Sequence, residues 1–382
     1  MRVSADLVIP AANAEELSEI ASWDGLRAAT FSRADFPVDS VRFYGSASPL
    51  LFLSRARRAE SLKALPATLR ARAEGAFERA ARRPAALSLA RGRVLGLAAA
   101  PAVMGVLNVT PDSFSDGGLY LDKERAVERG LQMFEEGAAI VDVGGESTRP
   151  ATYGQAREVS ESEEIGRAVP VIEALRKATD RPLSIDTRRA AVAHAALAAG
   201  ADLVNDVSAL RHDPAMIAAV AEAGAGLLLM HMKGADPRTM QDDVAYAHPL
   251  ADIAAALAEA AERALAAGVP TDRIAVDPGL GFGKSVGGNL LLLRYLSAFR
   301  ALGFPVAVGA SRKAFVRRFS GVSEGASAAE RLPGSLAAAG AAAQNGAAIV
   351  RVHDVVETVR FLAMRRAIEE ARGARLREAA IR

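Results

Sequence analysis

Short apolar segments alternate with longer amphipathic segments from about residue 102 to the end of the chain. Short apolar runs bounded by turn residues are typical of buried strands, whereas segments with apolar residues three or four positions apart are typical of helices. The predicted strands are Val103–Leu107, Ile140–Val143, Leu183–Ile185, Leu203–Val204, Leu227–Met230, Ile274–Val276, Val306–Val308 and Ile349–Val352. The predicted helices cover roughly residues 123–136, 162–178, 189–199, 214–223, 250–267, 290–302, 328–345 and 355–371.

This alternation predicts eight βα units over about 280 residues, which is the count and length of a TIM (β/α)8 barrel. A glycine follows six of the predicted helices, as a C-terminal cap in the left-handed conformation requires. These glycines are Gly137, Gly200, Gly224, Gly268, Gly303 and Gly346. A doubly wound sheet has the same local pattern, but nothing in the sequence indicates the reversal of strand order that it requires. We therefore favour the closed barrel, an α/β fold.

The first hundred residues do not follow this alternation. The stretch 55–93 is rich in alanine and arginine and carries much of an excess of basic residues. Its apolar positions at roughly helical spacing are Leu62, Leu65, Leu69 and Phe77. Two interpretations stay open, a helical face packed on the main domain and an electrostatic patch for an acidic partner. We predict an N-terminal extension or small cap of unknown role over residues 1–100 and the barrel over residues 101–382.

Charge and composition exclude several classes of protein. The 382-residue chain has 47 Lys and Arg against 45 Asp and Glu, a net charge of +2, and 51% hydrophobic residues. It is therefore neither wholly disordered nor a nucleic-acid binder that depends on bulk positive charge. Without cysteine it has no disulfide, thiolate zinc site or cysteine nucleophile. No apolar stretch is long enough to cross a membrane, and the first residues do not resemble a signal peptide, so we expect a cytoplasmic enzyme.

Polar side chains follow all eight predicted strands. The positions are Asn108, Asp142, Glu146–Arg149, Asp186, Asn205, His231, Asp277, Ser311–Lys313, Arg351 and His353. Each of them alone can hold a turn, but active sites of such barrels lie at the C-terminal ends of the strands. Their recurrence at the same end of every unit predicts a functional site there.

The residue types at these positions indicate two kinds of ligand group. Asp186, Asn205 and Asp277 offer oxygen acceptors from three strands, which suits a heterocycle rich in N–H donors, with Lys313 bonding a ring carbonyl or nitrogen. Cationic groups form the second set: Arg149, Arg351 and His353, with Asn108 offering an amide oxygen to a metal. They suit a phosphate or diphosphate neutralised by Mg²⁺. The ligand is then a nucleotide or a pterin that carries a diphosphate leaving group.

Eight motifs at these strand ends, in this order, resemble those of the dihydropteroate synthase family. The motifs are MGVLNVTPDSFSDGG (104–118), AIVDVGGESTRP (139–150), LSIDT (183–187), LVNDVSAL (203–210), MHMKGADPRTMQ (230–241), DPGLGFGKS (277–285), VGASRKAFV (308–316) and RVHDV (351–355). The resemblance implies a transferase of folate biosynthesis, a target of sulfonamide drugs, in which 4-aminobenzoate displaces diphosphate from (7,8-dihydropterin-6-yl)methyl diphosphate. It also implies a homodimer, with no nucleic-acid or membrane partner.

The resemblance also assigns roles to the residues. The implied pterin pocket consists of Asp186, Asn205, Asp277, Lys313, Met230 and Phe282. Arg351 is expected to stack on the pterin and, with His353, to reach the diphosphate, while Asn108 holds Mg²⁺. The residues implied to order the site and receive 4-aminobenzoate are Asp112, Phe114, Thr148 and Arg149, with Gly309, Ser311 and Lys313 flanking its carboxylate end. The implied catalytic set is Asp112, Arg149, Lys313, Arg351 and His353.

Three departures from the family and two alternative functions complete the prediction. Ala151 stands where many relatives have glycine, Gly287-Gly288 stands where relatives often have a polar or histidine residue, and the first hundred residues exceed the usual lead-in. A pterin-binding methyltransferase has the same fold but needs no diphosphate site, so Asn108 and the Ser311–Lys313 motif argue against it. A non-catalytic paralogue acting as a binding module is expected to have lost the loop residues, which are present here.

Overall fold

The computed structural model describes residues 6–10, 41–44, 50–54, 67–109, 123–146, 159–234, 236–246, 249–323 and 325–371. The strands outside the barrel are β1 (Asp6–Pro10), β2 (Val41–Tyr44), β3 (Leu50–Ser54), β4 (Ala86–Ser88) and β5 (Val94–Gly96). The barrel strands are β6 (Ala102–Asn108), β7 (Ile140–Gly144), β8 (Leu183–Asp186), β9 (Leu203–Asp206), β10 (Gly226–Met230), β11 (Ile274–Asp277), β12 (Ala307–Val308) and β13 (Ile349–Val352).

Eight parallel strands form the barrel within the described ranges. Strands β6 to β11 pair in chain order, and β6 also pairs with β13, which pairs with β12. A parallel bridge between Val276 and Val306 joins the two ends of this sheet, and the amide of Val276 donates to the carbonyl of Pro305 at 3.0 Å. The prediction of a TIM barrel is therefore confirmed, because a doubly wound sheet would have two free edges.

Helices surround the strands at positions close to those predicted. They are α1 (Ala67–Ala81), α2 (Lys123–Glu135), α3 (Glu161–Ala178), α4 (Ala190–Ala199), α5 (Met216–Ala223), α6 (Pro249–Ala266), α7 (Val286–Arg294), α8 (Ala314–Phe319), α9 (Ala328–Gln344) and α10 (Val355–Glu370). The predicted helix 290–302 is instead α7 followed by a 3-10 helix over Leu296–Leu302. The six capping glycines all have positive φ. At Gly200 (φ 124°) a side chain would also approach Arg176 to within 2.6 Å.

A hairpin of β4 and β5 fills the end of the barrel at which the strands begin. Leu87, Leu89, Leu95 and Leu97 are at most 2% exposed and pack with barrel residues such as Met104. These leucines stand at every second position, as in β-strands. The interpretation as a helical face is therefore wrong for β4, the part of the hairpin that lies within the stretch 55–93. The boundary between residues 100 and 101 stays a prediction, although the hairpin contributes to the barrel core.

A buried carboxylate fixes the turn of this hairpin. Asp202 is fully buried and forms ion pairs with Arg91 (3.1 Å), Arg93 (3.3 Å) and Arg176 (2.6 Å). It also accepts a hydrogen bond from the amide of Leu183 at 3.0 Å. Since Arg91 and Arg93 belong to the hairpin and Arg176 to α3, one side chain joins the hairpin to the barrel and its helical layer.

Helix α1 packs on the outside of the barrel. Its Ala73, Ala76, Phe77 and Ala80 are buried, and Arg79 donates through Nε to the carbonyl of Ala301 at 2.9 Å. The prediction of a helical face packed on the main domain is thus confirmed for this helix, whereas Leu62 and Leu65 lie outside the described residues. Strands β1, β3 and β2 form an antiparallel sheet in that order. In the part of the chain that the structure describes, no helix combines the length and apolarity of a membrane span.

Candidate active site

One guanidinium joins two carboxylates at the C-terminal ends of the barrel strands. Arg351 of β13 donates through Nε to Asp142 Oδ2 at 2.6 Å and through an Nη atom to Asp186 Oδ2 at 2.6 Å. Asn205 of β9 donates through Nδ2 to the same oxygen of Asp142 at 3.0 Å. The sequence places Arg351 among phosphate-binding cations, apart from the carboxylates. In the structure Arg351 contacts the carboxylates directly, because carboxylates this deeply buried require a cation.

Strand register brings these groups together. Gly144 of β7 lies opposite Asp186 of β8, which lies opposite Asn205 of β9. A side chain at Gly144 would lie 3.6 Å from Asn108 Oδ1 and 3.7 Å from the Cβ of Asp186. The amide oxygen of Asn108 and the carboxyl group of Asp186 therefore flank the space that this glycine leaves open.

The carboxyl group of Asp186 titrates near neutral pH. Burial raises its pKa from 3.8 to about 7; the Arg351 cation opposes this rise, and the Asp142 carboxylate adds to it. The same two carboxylates raise the pKa of Arg351 above its ordinary value, so this side chain stays charged. Within the described ranges, the Oδ1 atoms of Asp142 and Asp186 are buried without a hydrogen-bond partner. A buried acceptor without a partner costs free energy that a ligand with N–H donors would recover.

The opposite side of the site is formed by Asp277, Lys313 and a glycine-rich loop. Asp277 accepts a hydrogen bond from the amide of Gly279 at 2.6 Å, and burial raises the pKa of its carboxyl group. Burial lowers the pKa of Lys313 to about 8, an effect that Asp277 opposes. The ammonium of Lys313 donates to the carbonyl of Leu280 and lies 4.6 Å from the ring centroid of Phe282.

A second lysine holds the glycine-rich loop in place. Lys284 is 4% exposed, and its Nζ donates to the carbonyls of His231 (2.8 Å) and Phe282 (2.9 Å). It also lies 2.9 Å from His231 Nδ1, and burial lowers the pKa of both side chains. Met230, at the end of β10, lies in the same apolar cluster as Phe282. Lys284 lies within the motif DPGLGFGKS (277–285). A motif alone does not show which atoms this side chain contacts.

The third part of the site joins the ends of β12 and β13. His353 Nδ1 lies 3.1 Å from Ser311 Oγ, which also accepts from the amide of His353 at 3.3 Å. A side chain at Gly309 would lie 3.6 Å from the Cβ of Arg351 and 3.9 Å from the Nζ of Lys313. The absence of a side chain at this position therefore leaves room between the two cations.

The structure brings together the predicted site residues that it describes. They are Asn108, Asp186, Asn205, Met230, Asp277, Phe282, Gly309, Ser311, Lys313, Arg351 and His353. The predicted positions Asp112, Phe114, Thr148 and Arg149 lie outside the described residues. The sequence indicates Asp142 as one of the polar residues at the strand ends but gives it no role in ligand binding, because its contacts with Arg351 and Asn205 depend on the fold.

Comparison with known proteins identifies the family. The family described as "Pterin binding enzyme" matches residues 104–353. Dihydropteroate synthase of Escherichia coli is 43% identical over 259 residues, which cover 68% of this chain and 88% of that protein. The chain belongs to the dihydropteroate synthase family. The enzyme of Synechocystis is likewise 43% identical over 253 residues, covering 66% of this chain and 85% of the relative.

Solved dihydropteroate synthases have the same fold. The Yersinia pestis enzyme in a sulfonamide drug complex matches with a TM-score of 0.69 at 42% identity, over 75% of this chain and 99% of that one. The Xanthomonas albilineans enzyme with 4-aminobenzoic acid matches with a TM-score of 0.67 at 43% identity and the same coverage. The predicted family, fold and enzyme class are therefore confirmed, and the chain is a transferase of folate biosynthesis.

Proposed function

We propose that this dihydropteroate synthase condenses (7,8-dihydropterin-6-yl)methyl diphosphate with 4-aminobenzoate, releasing diphosphate and 7,8-dihydropteroate. The observation that carries the proposal is the buried cluster of Asp142, Asp186 and Arg351, whose partnerless carboxylate oxygens suit the N–H groups of a pterin ring. Solved relatives were crystallised with 4-aminobenzoic acid and with 7,8-dihydropteroate, which supports the same pair of substrate and product.

The pterin occupies the space between the two buried halves of the site. Asp186, Asn205 and Asp277 accept hydrogen bonds from its amino and ring N–H groups, and Lys313 donates to a ring oxygen or nitrogen. Met230 and Phe282 line the apolar side of the ring. Because Lys313 already contacts the face of Phe282, a flat ring bound there meets both an aromatic surface and a cation.

Cations face the departing diphosphate. Arg351 and His353 belong to the end of β13, and we assign Arg149 to the same group. Asn108 fits a Mg²⁺ ion because its amide oxygen is a hard ligand that borders the open space at Gly144. Among the described residues there is no group of three or more His, Cys, Asp or Glu side chains suited to a metal. When bound, such an ion neutralises charge on the diphosphate.

The reaction exchanges one bond at the pterin methylene group for another. The C–O bond to diphosphate breaks with its electron pair leaving on the diphosphate, and Arg351 and His353 stabilise that charge. The ring carries the resulting positive charge, which the carboxylates of Asp186 and Asp277 compensate. The amine of 4-aminobenzoate, neutral at pH 7, forms the C–N bond with its lone pair and then loses a proton to water. Asp112, Phe114, Thr148 and Arg149 are proposed to receive this substrate, with Gly309 and Ser311 near its carboxylate.

Diphosphate release by the purified protein tests this function. With both substrates and Mg²⁺ we expect release coupled to dihydropteroate formation, and we expect EDTA to abolish both. The control omits 4-aminobenzoate, which removes the nucleophile but neither the pterin nor the metal. Tight pterin binding without release would contradict the proposal and favour the methyltransferase or the non-catalytic paralogue. Homodimerisation remains a prediction from the family resemblance, and a cytoplasmic location remains a prediction from the sequence.

The affinity for a pterin is expected to increase as pH rises through about 7. Asp186 accepts N–H donors best when ionised, and its pKa of about 7 lies far above the ordinary 3.8. About one tenth of the sites are then ionised at pH 6 and about nine tenths at pH 8, so Kd falls up to about tenfold over this range. Calorimetric titration with a pterin that lacks the diphosphate measures this change.

The matched control for this titration is Asp186→Asn, which keeps the shape of the side chain and cannot ionise. Any pH dependence that comes from the pterin itself persists in this variant, so the difference between the two profiles belongs to Asp186. Identical profiles for the wild type and the variant would show that another group governs binding.

A further inference from the structure

Arg312 lies between two site residues in an unusual backbone conformation. It follows Ser311, precedes Lys313 and has a φ of 61°, which is in the left-handed region that an arginine seldom adopts. The amide of Lys313 donates to the carbonyl of Ala310 at 3.3 Å and so closes a tight turn around Arg312. A conformation of this kind is costly and persists only where the surrounding contacts enforce it.

Helix α9 holds the backbone of this turn. The amide of Arg312 donates to Ser335 Oγ at 3.1 Å, and Arg331 donates through an Nη atom to the carbonyl of Arg312 at 3.4 Å. The hydroxyl of Ser335 also donates to the carbonyl of Arg331 at 3.0 Å. These contacts use main-chain groups of Arg312, so they remain possible when its side chain is replaced.

The side chain of Arg312 contacts the end of the neighbouring strand β13. Its Nε donates to Asp354 Oδ2 at 3.2 Å, and an Nη atom donates to Asp354 Oδ1 at 2.5 Å. Two hydrogen bonds between a guanidinium and a carboxylate fix their orientation as well as their distance. Asp354 directly follows His353, the residue assigned to the diphosphate. The pair therefore connects the turn that carries Lys313 to the residue next to His353.

Asp354 is the N-cap residue of α10, but its side chain does not cap that helix. An aspartate at this position ordinarily accepts a hydrogen bond from an amide of the first turn. The N-cap serines of α3, α7 and α9 do accept such a bond. The side chain of Asp354 makes no capping bond, and its carboxylate faces Arg312 instead. This orientation gives up a stabilising contact, which indicates that the pair with Arg312 serves the site.

The pair lies beyond the point at which β12 and β13 stop pairing. In the described ranges their register covers two residue pairs and ends at Val308 of β12. The site residues come after this short ladder, so main-chain hydrogen bonds between the two strands do not set their spacing. Side-chain contacts connect the two strand ends there, namely those of Ser311 with His353 and of Arg312 with Asp354.

We propose that Arg312 and Asp354 are positioning residues that hold His353 at a fixed distance from Lys313. They match the site to the spacing between the ring and the diphosphate of one substrate molecule. This inference rests on the proposed function, which assigns Lys313 to the pterin ring and His353 to the diphosphate. A displacement of about 1 Å in a group of this kind can lower a reaction rate about 100-fold.

The groups assigned to the ring have additional contacts of their own. The ammonium of Lys313 is bonded to the carbonyl of Leu280, and Arg351 is bonded to the carboxylates of Asp142 and Asp186. Neither Arg312 nor Asp354 takes part in these hydrogen bonds. We therefore expect loss of the pair to shift His353 and to weaken diphosphate binding more than ring binding.

Calorimetric titration of Arg312→Met tests this role without requiring turnover. The two ligands are (7,8-dihydropterin-6-yl)methyl diphosphate and the corresponding alcohol, with Mg²⁺ present and 4-aminobenzoate absent. We expect the alcohol to bind with a Kd within about threefold of the wild-type value. The gain in affinity that the diphosphate adds over the alcohol is expected to fall at least about tenfold.

Arg129→Met is the matched control. Arg129 pairs with Glu136 at 2.5 Å, and their side chains are 18% and 15% exposed, close to the 15% of both Arg312 and Asp354. Glu136 precedes β7, so this pair lies at the end of the barrel at which the strands begin, opposite the site. The control removes a comparable ion pair and is expected to leave both Kd values unchanged.

Arg312→Gly separates the ion pair from the strained turn. Glycine adopts a positive φ without steric cost, so this variant is expected to fold even if Arg312→Met does not. It lacks the contact with Asp354, and we expect the same loss of diphosphate affinity as in Arg312→Met.

Steady-state kinetics tests whether the two residues act as a unit. We expect Arg312→Met and Asp354→Asn each to lower kcat at least about tenfold. The double variant is expected to have a kcat no lower than that of the weaker single variant, because the second substitution removes a contact that is already lost.

The outcomes distinguish this proposal from the proposed function. An active wild type in which Arg312→Met and Arg312→Gly keep the full gain from the diphosphate overturns the positioning role alone. An equal loss of affinity for both ligands, or fully additive losses of kcat, also overturns it, since those results indicate general damage to the barrel. A wild type that binds the pterin diphosphate more tightly than the alcohol but makes no dihydropteroate overturns the proposed function. The loss of diphosphate affinity in Arg312→Met would then still support the positioning role.

Discussion

Replacing Arg351 with methionine is expected to lower kcat/KM for the pterin diphosphate by about 10²–10³, or about 3–4 kcal/mol of transition-state stabilisation. The substitution removes a cation assigned to the departing diphosphate. It also leaves the buried carboxylates of Asp142 and Asp186 without their shared counter-charge, and the pKa of Asp186, which Arg351 holds down, rises further. Steady-state kinetics at saturating 4-aminobenzoate and Mg²⁺ measures the loss.

The control for this prediction is Arg366→Met. Arg366 lies on α10 and pairs with Glu370 across one exposed helical turn at 2.6 Å, a contact of small energetic value. We expect this variant to retain the kcat/KM of the wild type. If Arg351→Met also retained it, the assignment of Arg351 to the diphosphate would be wrong.

Replacing Asp202 with asparagine is expected to lower the free energy of unfolding by about 3 kcal/mol. Asparagine keeps the volume of the side chain but leaves Arg91, Arg93 and Arg176 without their common anion. The loss lies at the lower end for a broken buried ion pair because Arg91 is 40% exposed and can turn toward water. Urea denaturation followed by circular dichroism measures the change.

Asp180→Asn is the matched control for Asp202→Asn. Asp180 pairs with Arg93 at 3.0 Å, but its side chain is 99% exposed, so its loss is expected to change the free energy of unfolding by less than about 1 kcal/mol. Equal effects of the two substitutions would show that Asp202 does not hold the hairpin to the barrel.

The repeating units of the fold could be predicted from sequence because each one is a local pattern. Strands and helices have periods of about two and 3.6 residues, and glycine ends a helix for reasons confined to a few neighbouring residues. Helix α8 escaped prediction because six residues are fewer than two turns. The hairpin escaped because Leu87, Leu89, Leu95 and Leu97 alternate within a segment whose alanines and arginines favour a helix.

The candidate site could be predicted as a set of residues but not as a set of contacts. Strand ends indicated Asp186, Asn205 and Arg351, since all strands of a parallel barrel direct their C-terminal ends the same way. The pairing of Arg351 with Asp142 depends on strand register and on the closure of the barrel, which no local pattern encodes. The pair of Arg312 and Asp354 likewise joins residues 42 positions apart.

The hairpin that fills one end of the barrel precedes every barrel strand in the chain. During synthesis on the ribosome, its leucines therefore emerge before any of the strands that later cover them. Closure then waits for β13, the last strand made, which pairs with β6, the first. The apolar side chains of the hairpin therefore stay exposed on the nascent chain until the barrel strands have been synthesised. Exposed apolar surface of this kind favours aggregation, which molecular chaperones prevent.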